Sequence, residues 1–283
     1  MSISNKVIAY VGICVLVVSI STIQCLAANK PSPWSDVPDL KTLKNAAITK
    51  TDNGLNMKVK YFQAKDVSAY AAVLALSEAA GIKVGFELLK DENFKPINIS
   101  AENETVFEVF DRIYFADDRR YTSLPNNGYR NFMPEQYRSP GVNEVGDKSI
   151  TSEPPEYAFL TIIDEFMIQK KLPAVALTEL LEREPVRRTI PNANVEIFTQ
   201  TPAFSDNSSK DLSNVPITMM RKNLRVRELV NLTALASGKN WVAFWSKTEK
   251  GKDKLNVQFF NKASEVCPDA AKVQIELEPA QSN

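Results

Sequence analysis

The chain has 283 residues, with Lys plus Arg and Asp plus Glu balanced at 34 each and no histidine. The balance excludes a global field that would draw nucleic acid or a membrane surface. The missing histidine removes the commonest general base and zinc ligand, and every Ser-His or Cys-His nucleophile pair with them. Hydrolysis by paired carboxylates or a Lys base stays open, and the length suggests about two domains.

Residues 1–28 read as a signal peptide. Lys6 supplies a short basic region, Val7 to Ile20 is almost wholly apolar, and Ala27 and Ala28 offer small residues for cleavage. The apolar run is shorter than the roughly 20 residues of a membrane span, which favours cleavage and no stable span afterwards. Gln24 before Cys25 is a poor lipoprotein signal. Cys14 and Cys25 fall in this segment, leaving Cys267 alone, so an internal disulfide is excluded from the mature chain. The expectation is an exported protein, periplasmic or secreted, from a bacterium.

Residues 29–56 read as a linker or N-terminal arm, because Pro31, Pro33 and Pro38 disfavour helix. The first α+β unit is assigned to 57–164. Met57 to Phe62 alternates as a strand, Asp66 or Ser68 can cap a helix that Gly81 stops, and Ile82 to Leu88 is the next strand. Pro96 to Arg112 then runs from a strand into a helix, where Thr105 and Glu108 have the spacing of a capping box. Arg120 to Leu124 is a short strand. Residues 125–155 follow as a long loop, and loops of that length are functional or disordered. Tyr129, Phe132 and Tyr137 stand out in it as candidate partner contacts, the other outcome being that they fold back onto the body. Tyr157 to Ile163 closes the unit as a buried strand.

The second unit is assigned to 165–262. Pro173 begins a helix that Pro185 ends, Asn194 to Thr199 is a strand, and 202–214 is a polar loop. Pro216 to Leu232 repeats the earlier strand-then-helix frame at an offset of 120, with identities at Pro96/Pro216, Ile97/Ile217, Asn103/Asn223, Val106/Val226 and Glu108/Glu228. Trp241 to Ser246 and Leu255 to Phe260 make a hairpin. Residues 263–283 form a polar tail with a short strand-like run at Val273 to Ile275. The fold class is therefore α+β, two related small β-α-β-β-α-β-type units after a signal peptide.

This order resembles the secretin and TonB short N-terminal domain. The carrying residues are Ala80-Gly81-Ile82-Lys83-Val84, Ile97-Asn98-Ile99 and Thr105-Val106-Phe107-Glu108-Val109-Phe110. In the second unit they are Ile217-Thr218-Met219, Leu224 to Leu229 and Ala236-Ser237-Gly238. The resemblance implies a small exported interaction domain, an adaptor within a larger envelope assembly.

Other clusters have plainer readings. Trp241, Ala243 and Trp245 alternate on a strand that is apolar on both faces, which reads as burial on both sides rather than a ligand platform. Asp117-Asp118 and Arg183, Arg187 and Arg188 read as solvated helix ends. No glycine-rich phosphate loop, HExxH or CxxC occurs, so no catalytic residue, cofactor or metal is assigned. The functional expectation is a non-catalytic binding or assembly module of the bacterial envelope with an envelope protein as partner. The alternative is an exported enzyme or small-ligand carrier with a site between the two units.

Overall fold

Helix α1, Leu40–Leu55, occupies most of the stretch expected as a linker. The three prolines all precede it, and Leu40, Leu43, Ala47, Thr51 and Gly54 recur at helical spacing. Ala47, Thr51 and Gly54 are buried, with Leu40 and Leu43 packed on the same core. The computed structural model describes residues 39–88, 95–118, 121–135, 157–189, 194–199, 215–247 and 253–278. The expected signal peptide, the 202–214 loop and Tyr137 lie outside them.

The first half runs β1 (Lys58–Ser68), α2 (Ala69–Ala79), β2 (Lys83–Leu88), β3 (Pro96–Ala101), β4 (Glu104–Thr105), α3 (Val106–Ala116), β5 (Tyr121–Asn126) and β6 (Tyr129–Pro134). The second runs β7 (Ile162–Lys171), α4 (Pro173–Leu181), α5 (Glu184–Thr189), β8 (Asn194–Thr199), β9 (Ile217–Arg225), α6 (Val226–Ala236), β10 (Asn240–Lys247) and β11 (Asp253–Phe260). A tail of α7 (Ala263–Val266), a 3-10 turn and β12 (Gln274–Leu277) completes it. The fold is mixed α+β.

Local chemistry accounts for the helix starts. The Ser68 hydroxyl accepts from the Ala71 N–H at 3.1 Å. At α3 the expected capping box is present: the Thr105 hydroxyl accepts from the Glu108 N–H at 3.2 Å, and the Thr105 N–H donates to Glu108 Oε2 at 2.6 Å. In α6 the Arg225 N–H donates to Glu228 Oε2 at 2.8 Å, keeping one arm of that arrangement.

Both halves use one strand order. β1 pairs antiparallel with β3, and β7 with β9; β2 and β8 each pair parallel with the second strand of a hairpin, β5-β6 or β10-β11. Details recur too. The Val106 N–H donates to the Met57 carbonyl at 3.0 Å and the Val226 N–H to the Thr161 carbonyl at 2.9 Å. Asp66 and Lys170 are left-handed, at φ +53° and +50°, each on a bulged strand. The Asp66 N–H donates to Asn98 Oδ1, and the Lys170 N–H to Thr218 Oγ1, both at 3.1 Å. Asn103 and Asn223 are left-handed as well. These matches align β1 with β7 at an offset of 104, so Phe62 and Phe166, both fully buried, coincide.

The hairpins and β2 and β8 do not form separate sheets. β2 lies parallel to β10, giving one six-stranded sheet in the order β5-β6-β2-β10-β11-β8. Alternation along each strand then serves two cores. Val84, Phe86, Leu88, Phe132, Val242 and Phe260 join α2, α3, β1 and β3 in one core. Tyr129, Trp241, Ala243, Leu255, Val257 and Phe259 join α1, α4, α6 and β7 in the other. Gly85 allows a close approach, since a Cβ there would lie only 2.3 Å from the nearest atom of the Trp241 indole.

Candidate functional site

Two of the three aromatics expected as partner contacts are core residues. The stretch read as a loop holds a hairpin, turned by left-handed Asn127 and Gly128. It sends Tyr129 into one core, where its hydroxyl donates to the Lys239 carbonyl at 2.6 Å, and Phe132 into the other, where it stacks on Phe86 at 5.3 Å. At 0% and 7% exposure they fold back onto the body as packing residues, the other outcome weighed for them.

Where the halves meet, burial is polar as well as apolar. Glu87 on β2 takes both Nε and Nη2 of Arg227 on α6, the latter at 2.9 Å, and accepts from the Tyr157 hydroxyl at 2.8 Å. Burial pulls the Arg227 guanidinium down, and the Glu87 carboxylate more than restores it by charge and hydrogen bonds. Burial, then the Glu87 charge, pushes the Tyr157 phenol well above its ordinary value. Nearby, Trp241 Nε1 donates to Asn231 Oδ1 at 2.8 Å, and Asn231 Nδ2 donates to Asn126 Oδ1 at 3.2 Å. These bonds fix how the halves sit together. The Glu87 carboxylate is enclosed by its two partners and reaches no open surface, which suits a structural role.

Two cavities bear on the small-ligand alternative. One of about 370 Å³ lies within the first half, between α2, α3 and the β5-β6 hairpin. Phe86, Phe107, Phe110, Tyr121 and Phe132 line it, with Arg130, whose Nε donates to Ser123 Oγ at 3.0 Å and whose Cζ lies 5.7 Å from the Phe107 ring centre. Burial pulls the Arg130 guanidinium down, and Asp111 opposes it. The second, between the halves, is about 100 Å³ and lined by Asn131, Arg225 and Arg227 among others. That is well below the roughly 300 Å³ at which small-molecule sites begin.

The least expected feature is a sheet edge. β1 is flanked on both sides, by β3 with β4 on one edge and by β12 on the other. The β12 pairing is antiparallel over Val59 to Gln63, and the Glu278 N–H donates to the Lys58 carbonyl at 2.9 Å. Its counterpart β7 pairs only with β9 among the described residues, so the matching edge carries no strand. The outer faces differ as well. Where the first half presents Lys58, Gln63 and Ser100, the second presents Ile162, Met167 and Met220, exposed by 55%, 63% and 51%. Met167 and Met220 are direct cross-strand partners. Sequence reading missed these residues, although Ile162 and Met167 interrupt an otherwise polar face in the alternation of β7.

Of the charged residues expected as solvated helix ends, Asp118 pairs with Lys95 at 3.1 Å and Arg188 with Glu184 at 2.5 Å, both exposed, but Asp117 is buried and lines the cavity of the first half. No helix among the described residues is long and apolar enough to cross a membrane. Comparison of the chain with protein-family models, curated proteins and solved structures finds no match.

Proposed function

We propose that the chain is an exported, non-catalytic binding or assembly module of the bacterial envelope, made of two copies of one unit that resembles the secretin and TonB short N-terminal domain. The recurrence of one strand order, with matching left-handed residues and hydrogen bonds, supports the duplication. The observation that carries the function is the unequal finish of the two copies. The first has its outer edge closed by β12 and a polar face beside it. The second leaves that edge without a strand among the described residues, next to Ile162, Met167 and Met220. An open edge beside an apolar face is a place where another chain adds a strand.

Site-specific photo-cross-linking of the exported protein in its native envelope tests this. A cross-linker at Met220 should trap one discrete partner band, and the same cross-linker at Ser100, the corresponding position of the first copy, should trap none. Equal trapping from both positions, or none from either, sinks the proposal.

The 370 Å³ aromatic pocket favours a second reading, a carrier of a small aromatic or amphipathic ligand. A saturable shift of tyrosine fluorescence with such ligands, lost in Phe107→Asp, would favour it.

A further inference from the structure

The internal precedent of β12 says what kind of strand fits the open edge. Where β12 lies on β1, apolar residues alternate with charged ones, and the charges are complementary: β1 carries Lys58 and Lys60, β12 carries Glu276 and is followed by Glu278, and Lys60 Nζ meets Glu276 Oε1 at 3.3 Å. At the offset that superposes β1 on β7, Lys60 becomes Asp164 and Tyr61 becomes Glu165, both exposed, with Glu165 Oε1 3.7 Å from Lys222 Nζ on β9. The sign is inverted at the very position that fixes the tail strand. The chain's own acidic tail therefore suits the closed edge and is repelled by the open one.

We propose that the β7 edge, Ile162 to Met167, accepts in antiparallel pairing an extended segment of a partner protein in which apolar residues alternate with Lys or Arg. This rests on the reading of the chain as a binding module and deepens it by naming the partner's chemistry. Main-chain hydrogen bonds to the edge supply the pairing. Met167 and Met220 offer a soft, adaptable apolar face for the segment's outward side chains. The carboxylate of Asp164 selects the sign of its charge, as rim charges do, while Glu165 already faces Lys222.

The experiment uses the whole mature chain and two peptides. One is the tail sequence 270–279, AAKVQIELEP; the other is the same with Glu276→Lys and Glu278→Lys. Binding is followed by backbone amide shifts. The lysine peptide should bind about tenfold tighter than the tail peptide, with the preference shrinking in high salt. Shifts should centre on Ile162 to Met167. The exposed double variant Asp164→Lys/Glu165→Lys should reverse the preference while leaving the fold intact. Failure of both peptides to bind, shifts on β9 or β5 instead of β7, or an unchanged preference in the double variant overturns the proposal. So does self-association through Met167 and Met220 that the lysine peptide cannot displace. If cross-linking from Met220 still traps a partner in that case, the binding-module reading stands and only the basic-strand assignment falls.

Discussion

Replacing Glu87 by Met tests whether the buried ion pair locks the two halves together. The carboxylate is 0% exposed and holds three donors, two from Arg227 and one from Tyr157. Met fills similar volume, so cavity formation contributes little. What remains is a guanidinium inside the protein without its counter-charge, an arrangement that costs about 3–5 kcal/mol. Arg227→Met orphans the carboxylate instead and should cost a similar amount. The double variant removes both charges and leaves only the Tyr157 hydroxyl without its acceptor, a loss of about 1–3 kcal/mol. The two single costs should therefore exceed the double by about 3 kcal/mol or more, a coupling expected only of groups in direct contact. Urea unfolding followed by tryptophan fluorescence measures this, because Trp241 and Trp245 sit beside the seam. The midpoint should fall in each single variant with the slope unchanged. Single costs below about 1 kcal/mol, or a double equal to the sum of the singles, would refute the reasoning that burial makes the pair indispensable once present.

Phe110→Ala removes a side chain that packs against Phe132 at 5.6 Å. It should cost about 3 kcal/mol by thermal or urea unfolding, the low end for a phenylalanine truncation because Phe110 already borders a cavity. Gly85→Ala should cost at least about 2 kcal/mol, since the new methyl group overlaps the fully buried Trp241 ring and overpacking is poorly relieved there. Lys83 gives a pH signature. Burial, with Lys50 and Lys239 nearby, pulls its ammonium from 10.5 down to about 8, and it donates to the Gly238 carbonyl. Between pH 8 and 10.5 the unfolded chain holds a proton that the folded one has released, so this group makes stability rise with pH across that window. The rise should amount to at most about 3 kcal/mol and should vanish in Lys83→Met, as measured by denaturation midpoints from pH 7 to 11.

Much of the local structure was legible because it rests on neighbours in sequence. Thr105 and Glu108 cap α3 through a spacing visible in the chain, and the fixed offset of 120 placed β9 and α6 beside their counterparts. Asn127-Gly128 is a hairpin signal as well, but it sits inside a stretch that reads as one long loop, and without the turn Tyr129 and Phe132 have no core to join. What the sequence could not supply is which strand lies beside which. Apolar residues on both faces of β2 and β10 report burial on both sides, yet nothing local says that they pair with each other across 155 residues of chain. Nor does a short polar tail announce that four of its residues close a sheet edge.

The two halves have equivalent frames and opposite surfaces, and that contrast decides where to look for function. On the proposal that they are copies of one unit, they began with two identical outer edges, and each such edge is a hazard unless covered or blunted. The first was closed from within, by a tail whose Glu276 answers Lys60. The second kept its edge open among the described residues, turned the corresponding charge to Asp164, and placed Ile162, Met167 and Met220 where the first copy has Lys58, Gln63 and Ser100. On the proposal above, Asp164 beside the exposed methionines disfavours the acidic tail while leaving apolar contact area for a strand of the other sign. Selection by rejection of the wrong strand is how one fold can hold its own tail on one copy and reserve the other for a partner.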